Sequence, residues 1–294
     1  MTLDYIEVHI ADHCNLNCKG CGHFSPLITN KLFPDFEVFK KDMNRLSLIY
    51  TNIKAIHILG GEPLLNPGLA DFLIYSRSVF PKSNIYLVTN GTLLNKQTEL
   101  FWETCKNNNI AINISYYPVK IDIRDISRKS RTYGLQLNVS LVRKHFIKIL
   151  NIKGDSDPVK NFKICRSMFS CTFLKNGYIY SCAFSCQYKH FNDFFGENIT
   201  TVDDQNRIDI HSHSAGEITQ FLNSPVPFCK YCISKPPVFN WGLSERNKNE
   251  WIGEDDNSIK RHYMMLALRM YNAIKKMGIF ESSLYRSFRN KFLE

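Results

Sequence analysis

The first half of the chain alternates short apolar runs with longer amphipathic stretches. YIEVHI (5–10) is apolar and β-branched, as a buried strand is, and FEVFKKDMNRLSLIY (36–50) then repeats its apolar residues at helical spacing. AIHILGG (55–61) predicts a second strand ending in glycines, PGLADFLIYSRSVF (67–80) a helix, NIYLVTNG (84–91) a strand and LNKQTELFWETCKNN (94–108) a helix. AINISYY (111–117) and LQLNVSLV (135–142) predict further strands, joined by the helix IDIRDISRKSRTYG (121–134). Strand and helix alternating at these lengths predict an α/β fold with a parallel sheet and crossover helices. Five or six such units suit a partial or complete barrel better than a small three-layer sandwich.

The pattern changes near residue 150. NIKGDSDPVKN (151–161) is polar and turn-rich, and CTFLKNGYIYSC (171–182) predicts a hairpin turning at Asn176-Gly177. Residues 187–228 look mixed and loop-rich, and FCKYC (228–232) closes the region. The expected organisation is a core at 1–152, a small appended domain at 153–240 held by metal rather than by a large core, and a basic tail at 241–294 ending in an amphipathic helix or two.

Composition narrows the classes. Hydrophobic residues make up 44% of the 294 and charged residues 22%, the balance of an ordinary globular chain. No window resembles a membrane span and MTLDYIEVHI lacks a signal-peptide pattern, so a soluble cytoplasmic protein is expected. The net charge of +10 is spread along the chain, densest at the C-terminus, and no nucleic-acid-binding signature accompanies it. The ten cysteines are the informative residues. Nine fall into three groups, Cys14/Cys18/Cys21, Cys165/Cys171/Cys182/Cys186 and Cys229/Cys232, as metal or redox chemistry would use them in a reducing compartment. Cys105 stands alone and is expected to be a buried thiol on its helix.

In parallel α/β folds the site lies at the carboxyl ends of the strands. Three unusual loops fall there: the cysteine loop HCNLNCKGCGHF (13–24) after the first strand, GGEP (60–63) after the second and TNG (89–91) after the third. Three thiolates from one loop can hold a [4Fe–4S] cube by three corners and leave the fourth iron open. They can also form a tetrahedral zinc site with His13 or His23 as the fourth ligand.

Cys14-Asn-Leu-Asn-Cys18-Lys-Gly-Cys21 resembles the CxxxCxxC loop of the radical S-adenosylmethionine (radical SAM) enzymes, and its place after strand one is the family's own. Gly60-Gly61-Glu62-Pro63 is similar to the family's GGEP motif, Thr89-Asn90-Gly91 to its TNG, and Ser115 falls where the family often places a polar side chain near SAM. The resemblance covers roughly residues 3–150 and implies a partial (β/α)6-type TIM barrel. It further implies a [4Fe–4S] cluster on Cys14, Cys18 and Cys21, with SAM at Gly60, Gly61, Glu62, Pro63, Asn90 and Ser115. The two glycines would let the backbone approach the ligand, and Glu62 would accept from its ammonium group. The implied reaction is reductive cleavage of SAM to a 5′-deoxyadenosyl radical, which abstracts hydrogen from a substrate, with flavodoxin or ferredoxin as electron donor. One position departs from the family, since Gly20 stands where many members have an aromatic residue that contacts the adenine. His23 or Phe24 is expected to compensate.

The later cysteines resemble those of the twitch domain, a shortened relative of SPASM that carries an auxiliary cluster. That resemblance assigns a second [4Fe–4S] cluster to Cys165, Cys182, Cys229 and Cys232, and zinc is the competing occupant. Cys171 and Cys186 are then spare, either able to replace one of the four. Arg166, beside a ligand, either binds substrate or solvates the surface. The spacing most resembles twitch-bearing dehydrogenases of aminocyclitols, which implies a small polar substrate (sugar, sugar nucleotide or cyclitol) oxidised with the second cluster as electron acceptor. Peptide modification is the alternative, ranked lower because strand one begins by residue 5 and leaves no room for a peptide-binding domain before it. A metal-stabilised binding protein with no enzymatic activity is the reading from another class.

Overall fold

The computed structural model describes residues 1–168, 172–199 and 203–258, together with Tyr263 and Leu266. Its first part follows the alternation read above. β1 (Thr2–His9), β2 (Asn52–Leu59), β3 (Asn84–Thr89), β4 (Ile110–Ile114) and β5 (Leu137–Val139) are separated by α1 (Phe36–Ile49), α2 (Leu69–Val79), α3 (Glu99–Asn107) and α4 (Ile123–Thr132). Local chemistry marks the boundaries. The Asp35 carboxylate caps α1 by accepting from the backbone N–H of Glu37 and Val38, and Asp122 caps α4 through Asp125.

The second part contains β6 (His145–Ile147), α5 (Pro158–Met168), β7 (Phe173–Lys175), β8 (Tyr178–Tyr180), α6 (Ala183–Phe195), β9 (Arg207–Asp209), α7 (Ala215–Leu222) and β10 (Val238–Asn240). The stretch 187–228, expected to be loop-rich, thus holds most of α6 together with β9 and α7. The predicted hairpin forms, with Asn176 and Gly177 at φ of 48° and 80°, the left-handed pair of a type I′ turn. The amphipathic helices expected in the tail fall past Ser258, outside the described residues apart from Tyr263 and Leu266.

Eight strands form one open sheet in the order β5-β4-β3-β2-β1-β7-β8-β9. The first five and β7 are parallel, with β7 hydrogen-bonded beside β1, and β8 and β9 are antiparallel. The sheet therefore runs through the 152/153 boundary, and the hairpin from the later region extends the core sheet. A second, two-stranded sheet joins β10 to β6.

The two faces differ. Ile6, Val8, Ile56, Ile58, Ile85, Leu87, Ile112 and Leu174 pack on Met43, Leu46, Phe72, Leu73, Trp102 and Ile126 of the helices in the main core. Each such buried side chain contributes about 1.5–3 kcal/mol. By alternation the other face carries Tyr5, Glu7, His9, His57, Tyr86, Asn113 and Asn138, with Glu7 in register with His57 and Phe173. A parallel sheet covered on both sides is ordinarily apolar throughout, and this face departs from that by carrying polar side chains. The start of α6 covers part of it, packing Ala183 and Cys186 on Leu59, Val88, Phe173 and Tyr180.

Candidate functional site

The loops after β1, β2 and β3 are locked together at the carboxyl rim. Gly61 N donates to Ala11 O at 2.6 Å and Glu62 N to His13 O at 3.0 Å. A Cβ on Gly60 would stand 2.1 Å from Ala11 O, and one on Gly61 2.2 Å from His13 O. These glycines are required by the backbone of the cysteine loop itself, a different reason from the ligand approach expected above.

Glu62 is fully buried and its carboxylate is used within the protein. Oε1 accepts from Thr89 Oγ1 at 2.6 Å and Leu64 N at 3.1 Å, and Oε2 from Asn90 N at 2.8 Å. Three of about four lone-pair sites are thereby taken, so Glu62 ties the second loop to the third. Burial pushes its carboxyl up to about 7 against these three donors. Asn90 continues the chain of contacts: its Nδ2 donates to Asn15 Oδ1 at 2.9 Å and approaches Cys14 Sγ at 3.7 Å. Ser115 sits beside this corner, its N–H donating to Thr89 O at 2.9 Å. Pro63 begins the 3-10 turn that Glu62 caps.

Cys14, Cys18 and Cys21 are gathered closely enough for each to feel another's charge. Burial raises all three thiols, Cys14 and Cys18 to about 12, so a metal must displace their protons. Their sulfurs already receive donors. Leu16 N reaches Cys14 Sγ at 3.4 Å, Trp241 Nε1 reaches Cys18 Sγ at 3.2 Å, and Cys21 is hydrogen-bonded by the His23–Ser25 turn. Such N–H···S contacts are those that stabilise cluster thiolates. Among the described residues no three His, Cys, Asp or Glu side chains converge tightly enough for one metal ion. Three thiols from one loop, each sulfur supplied with a donor, fit the three protein corners of an iron–sulfur cube.

Neither candidate histidine joins them. His13 Nδ1 accepts from Leu32 N at 3.2 Å. His23 lies between Gly60 O, at 3.1 Å from Nδ1, and the rings of His9 and Phe173, and burial lowers it to about 3. Phe24, expected to make up for Gly20, is fully buried in a separate apolar cluster with Tyr188, Phe191 and Trp251. Gly20 has its own explanation. Its φ is +63°, and a Cβ there would meet the Phe239 ring at 2.5 Å, so an aromatic from β10 fills the space beside it.

A buried polar knot anchors the start of the cysteine loop. Asp12 accepts from Lys175 Nζ at 2.7 Å and Gln187 Nε2 at 3.2 Å, with His9 Nδ1 at 3.2 Å and His190 Nε2 at 3.6 Å. Burial would raise this carboxyl, but the two histidines and Lys175 together hold it well below the usual range. On the polar sheet face below, the Tyr5 hydroxyl bridges Glu7 and His57. Burial raises the Glu7 carboxyl to about 7, against the Tyr5 hydrogen bond and the charge of Arg143. That same guanidinium also acts by charge on Cys18, His23 and Tyr117.

A second thiol group comes from distant segments. Cys165 lies on α5, Cys182 is the N-cap residue of α6, Cys229 sits in a 3-10 turn (Pro227–Tyr231) and Cys232 follows it. Cys232 feels Cys182, Cys229 and Cys165, and burial raises every one of the four, Cys182 to about 12. Buried Asn161 holds the turn by donating to Cys229 O at 3.0 Å and Cys232 O at 2.7 Å. Cys186 faces Lys175 and Asp12 instead, and Cys171 lies outside the described residues. Arg166 acts on Cys165 and Cys229 by charge and donates to Leu222 O. Cys105 is fully buried in the main core.

Sequence reasoning missed Phe239, Trp241 and the Asp12 knot, whose partners are far apart in the chain. It could have found α6, because Phe184, Tyr188, Phe191 and Phe195 recur at helical spacing.

Comparison with known proteins adds to this geometry. The profile of the radical SAM superfamily matches residues 8–154, half of the chain. GTP 3',8-cyclase of Helicobacter pylori (strain ATCC 700392 / 26695) is 33% identical over 132 residues, 43% of this chain and 39% of that protein. The chain therefore spans about two fifths of the length of the curated relatives it matches. Among solved structures, a hexahistidine-tagged form of anSMEcpe with bound AdoMet superposes with a TM-score of 0.50 at 14% identity, over 79% of this chain and 85% of that one. BtrN in complex with AdoMet and 2-DOIA gives 0.48 at 18% identity, over 78% and 92%.

Proposed function

The chain belongs to the radical SAM superfamily, and from that premise we propose that Cys14, Cys18 and Cys21 hold the family's SAM-binding [4Fe–4S] cluster and that the substrate is a small hydroxylated molecule. The observation that carries the first part is the union of the cysteine, GGEP and TNG loops, with three sulfurs already supplied with donors. Gly60, Gly61, Pro63, Asn90 and Ser115 line the corner where SAM would lie. Glu62 acts there by fixing the corner's shape, its oxygens being committed to Thr89, Leu64 and Asn90.

Cys165, Cys182, Cys229 and Cys232 hold a second cluster in a twitch-like region around 153–240, continuous with the core through β7. When bound, the first cluster with SAM supplies a 5′-deoxyadenosyl radical that takes a hydrogen atom from the substrate, and the second supplies an acceptor for the electron left behind. The chain's own residues do the rest. Tyr5, Glu7, His57, Tyr86, Asn113 and Asn138 give this sheet face a row of hydrogen-bonding groups, and the charge of Arg143 acts on Glu7. That row suits hydroxyls, and a carboxyl poised near neutrality can receive the proton an alcohol loses on oxidation. Dehydrogenation of a sugar, sugar nucleotide or cyclitol is the reaction this supports.

Anaerobic purification tests the reading. About eight irons per chain, with SAM cleaved to 5′-deoxyadenosine on reduction by flavodoxin, ferredoxin or dithionite, is the expected result. Zinc-loaded protein that leaves SAM intact would overturn it. Deuterium moving into 5′-deoxyadenosine from labelled sugars or cyclitols supports the substrate class, and transfer from peptides alone would sink it.

A further inference from the structure

The segment that follows the second thiol group turns back over the first. Lys19 N donates to Gly242 O at 2.8 Å and Ser244 N to Asn17 O at 2.8 Å, so residues 17–19 and 242–244 run side by side in opposite directions. Just before this strap, Phe239 occupies the space beside Gly20. Between these anchors Trp241 is held on three sides. Its backbone N–H donates to Lys144 O at 2.7 Å, its ring stacks on Tyr117 at 6.5 Å between centroids and 27° between planes, and its Nε1 donates to Cys18 Sγ at 3.2 Å. An indole N–H can only donate, and an ionised sulfur is its strongest available acceptor.

We propose that Trp241 is a positioning residue that sets the reduction potential of the cluster on Cys14, Cys18 and Cys21, by donating its indole N–H to the Cys18 sulfur. The inference rests on the cluster assignment made above. The physical reason is a difference between charge states. A reduced cluster carries one more negative charge than the oxidised form, and much of that charge resides on the sulfurs. A fixed donor therefore stabilises the reduced state more and raises the potential. Trp241 lies 223 residues from Cys18 in the chain, so this donor exists only once the strap is in place.

The test is a redox titration of the anaerobic holoenzyme followed by EPR, with Trp241→Phe and with 3-benzothienylalanine at position 241. The second replacement keeps the bicyclic ring and substitutes sulfur for N–H. Both are expected to move the midpoint of the first cluster to more negative values and to leave the signal of the second where it was. The benzothienyl protein decides the matter even where the phenylalanine variant sheds iron, because it keeps the stack on Tyr117. An unchanged first midpoint in that protein at full iron content overturns the proposal, as does an equal shift of both clusters. Should iron content stay unchanged when Cys14, Cys18 and Cys21 are replaced, the cluster assignment itself fails, and that result is distinct from either midpoint outcome.

Discussion

Cys14, Cys18 and Cys21 come from one loop of consecutive residues, whereas Cys165, Cys182, Cys229 and Cys232 come from a helix, a helix N-cap and the end of a 3-10 turn. The first group is held by backbone hydrogen bonds to the neighbouring loops, and glycines at 60 and 61 allow that approach. The second is held by one buried side chain, Asn161, and by the hairpin and helix that bring Cys182 to it. A site built on strand ends inherits the rigidity of the sheet. One assembled from remote segments, if it holds the proposed cluster, would draw on that metal to complete the fold.

The largest effect that sharpens this contrast is loss of the first group. Replacing Cys14, Cys18 and Cys21 together with alanine should reduce SAM cleavage to background and remove about half of the iron, measured by iron assay and by 5′-deoxyadenosine formation. Cleavage surviving in that variant would break the assignment. Gly61→Ala comes next, since its Cβ would stand 2.2 Å from His13 O. The cysteine loop and GGEP must then separate, at a cost on the order of 4 kcal/mol, visible as a depressed denaturation midpoint together with lost first-cluster iron. Wild-type stability in that variant would show that the two loops are not clamped.

Cys229→Ser combined with Cys232→Ser should likewise halve the iron while leaving substrate-free SAM cleavage measurable. It should also lower the melting temperature of the holoprotein, as a metal-completed region requires. Unchanged iron would remove the second site from the comparison. A smaller effect concerns the polar sheet face beneath the first group. Glu7 and Glu62 are both raised from 4.5 to about 7 by burial. The folded chain keeps protons there that the unfolded chain releases, so both carboxyls cost stability as pH rises from about 4.5 to 7, each on the order of 3 kcal/mol above that window. Glu7→Gln should remove roughly half of that slope in urea titrations of the metal-free protein at pH 5 and 7.5, and parallel slopes would contradict it. Smallest is Gly177→Ala in the hairpin before Cys182. At φ of +80° it should cost about 1 kcal/mol without touching the first group's iron.

The same contrast separates what could be read from residues alone. The four β/α units and the fifth strand were legible because their signals are local: β-branched runs, helical spacing and polar caps such as Asp35. Asn176-Gly177 announced its turn for the same reason. The capping box of Ser214 and Glu217 marks α7, and the aromatic repeat marks α6, yet both were masked by the polar residues between them. The place of β7 beside β1 left no trace in the sequence, since pairing partners with so much intervening chain share no local pattern. Glu62 was legible as a residue that mattered and not as a clasp, because its partners lie on the next loop.

The sequence by itself determined the three-thiol loop, the motifs that flank it and the order in which strands deliver them to one rim, all through short-range spacing and periodicity. Only the tertiary structure decided that Gly60 and Gly61 meet the cysteine backbone, that Phe239 fills the space beside Gly20, and that Trp241 reaches Cys18. Those contacts are set by how distant segments pack, and packing is a property of surfaces that exist only after the chain has folded.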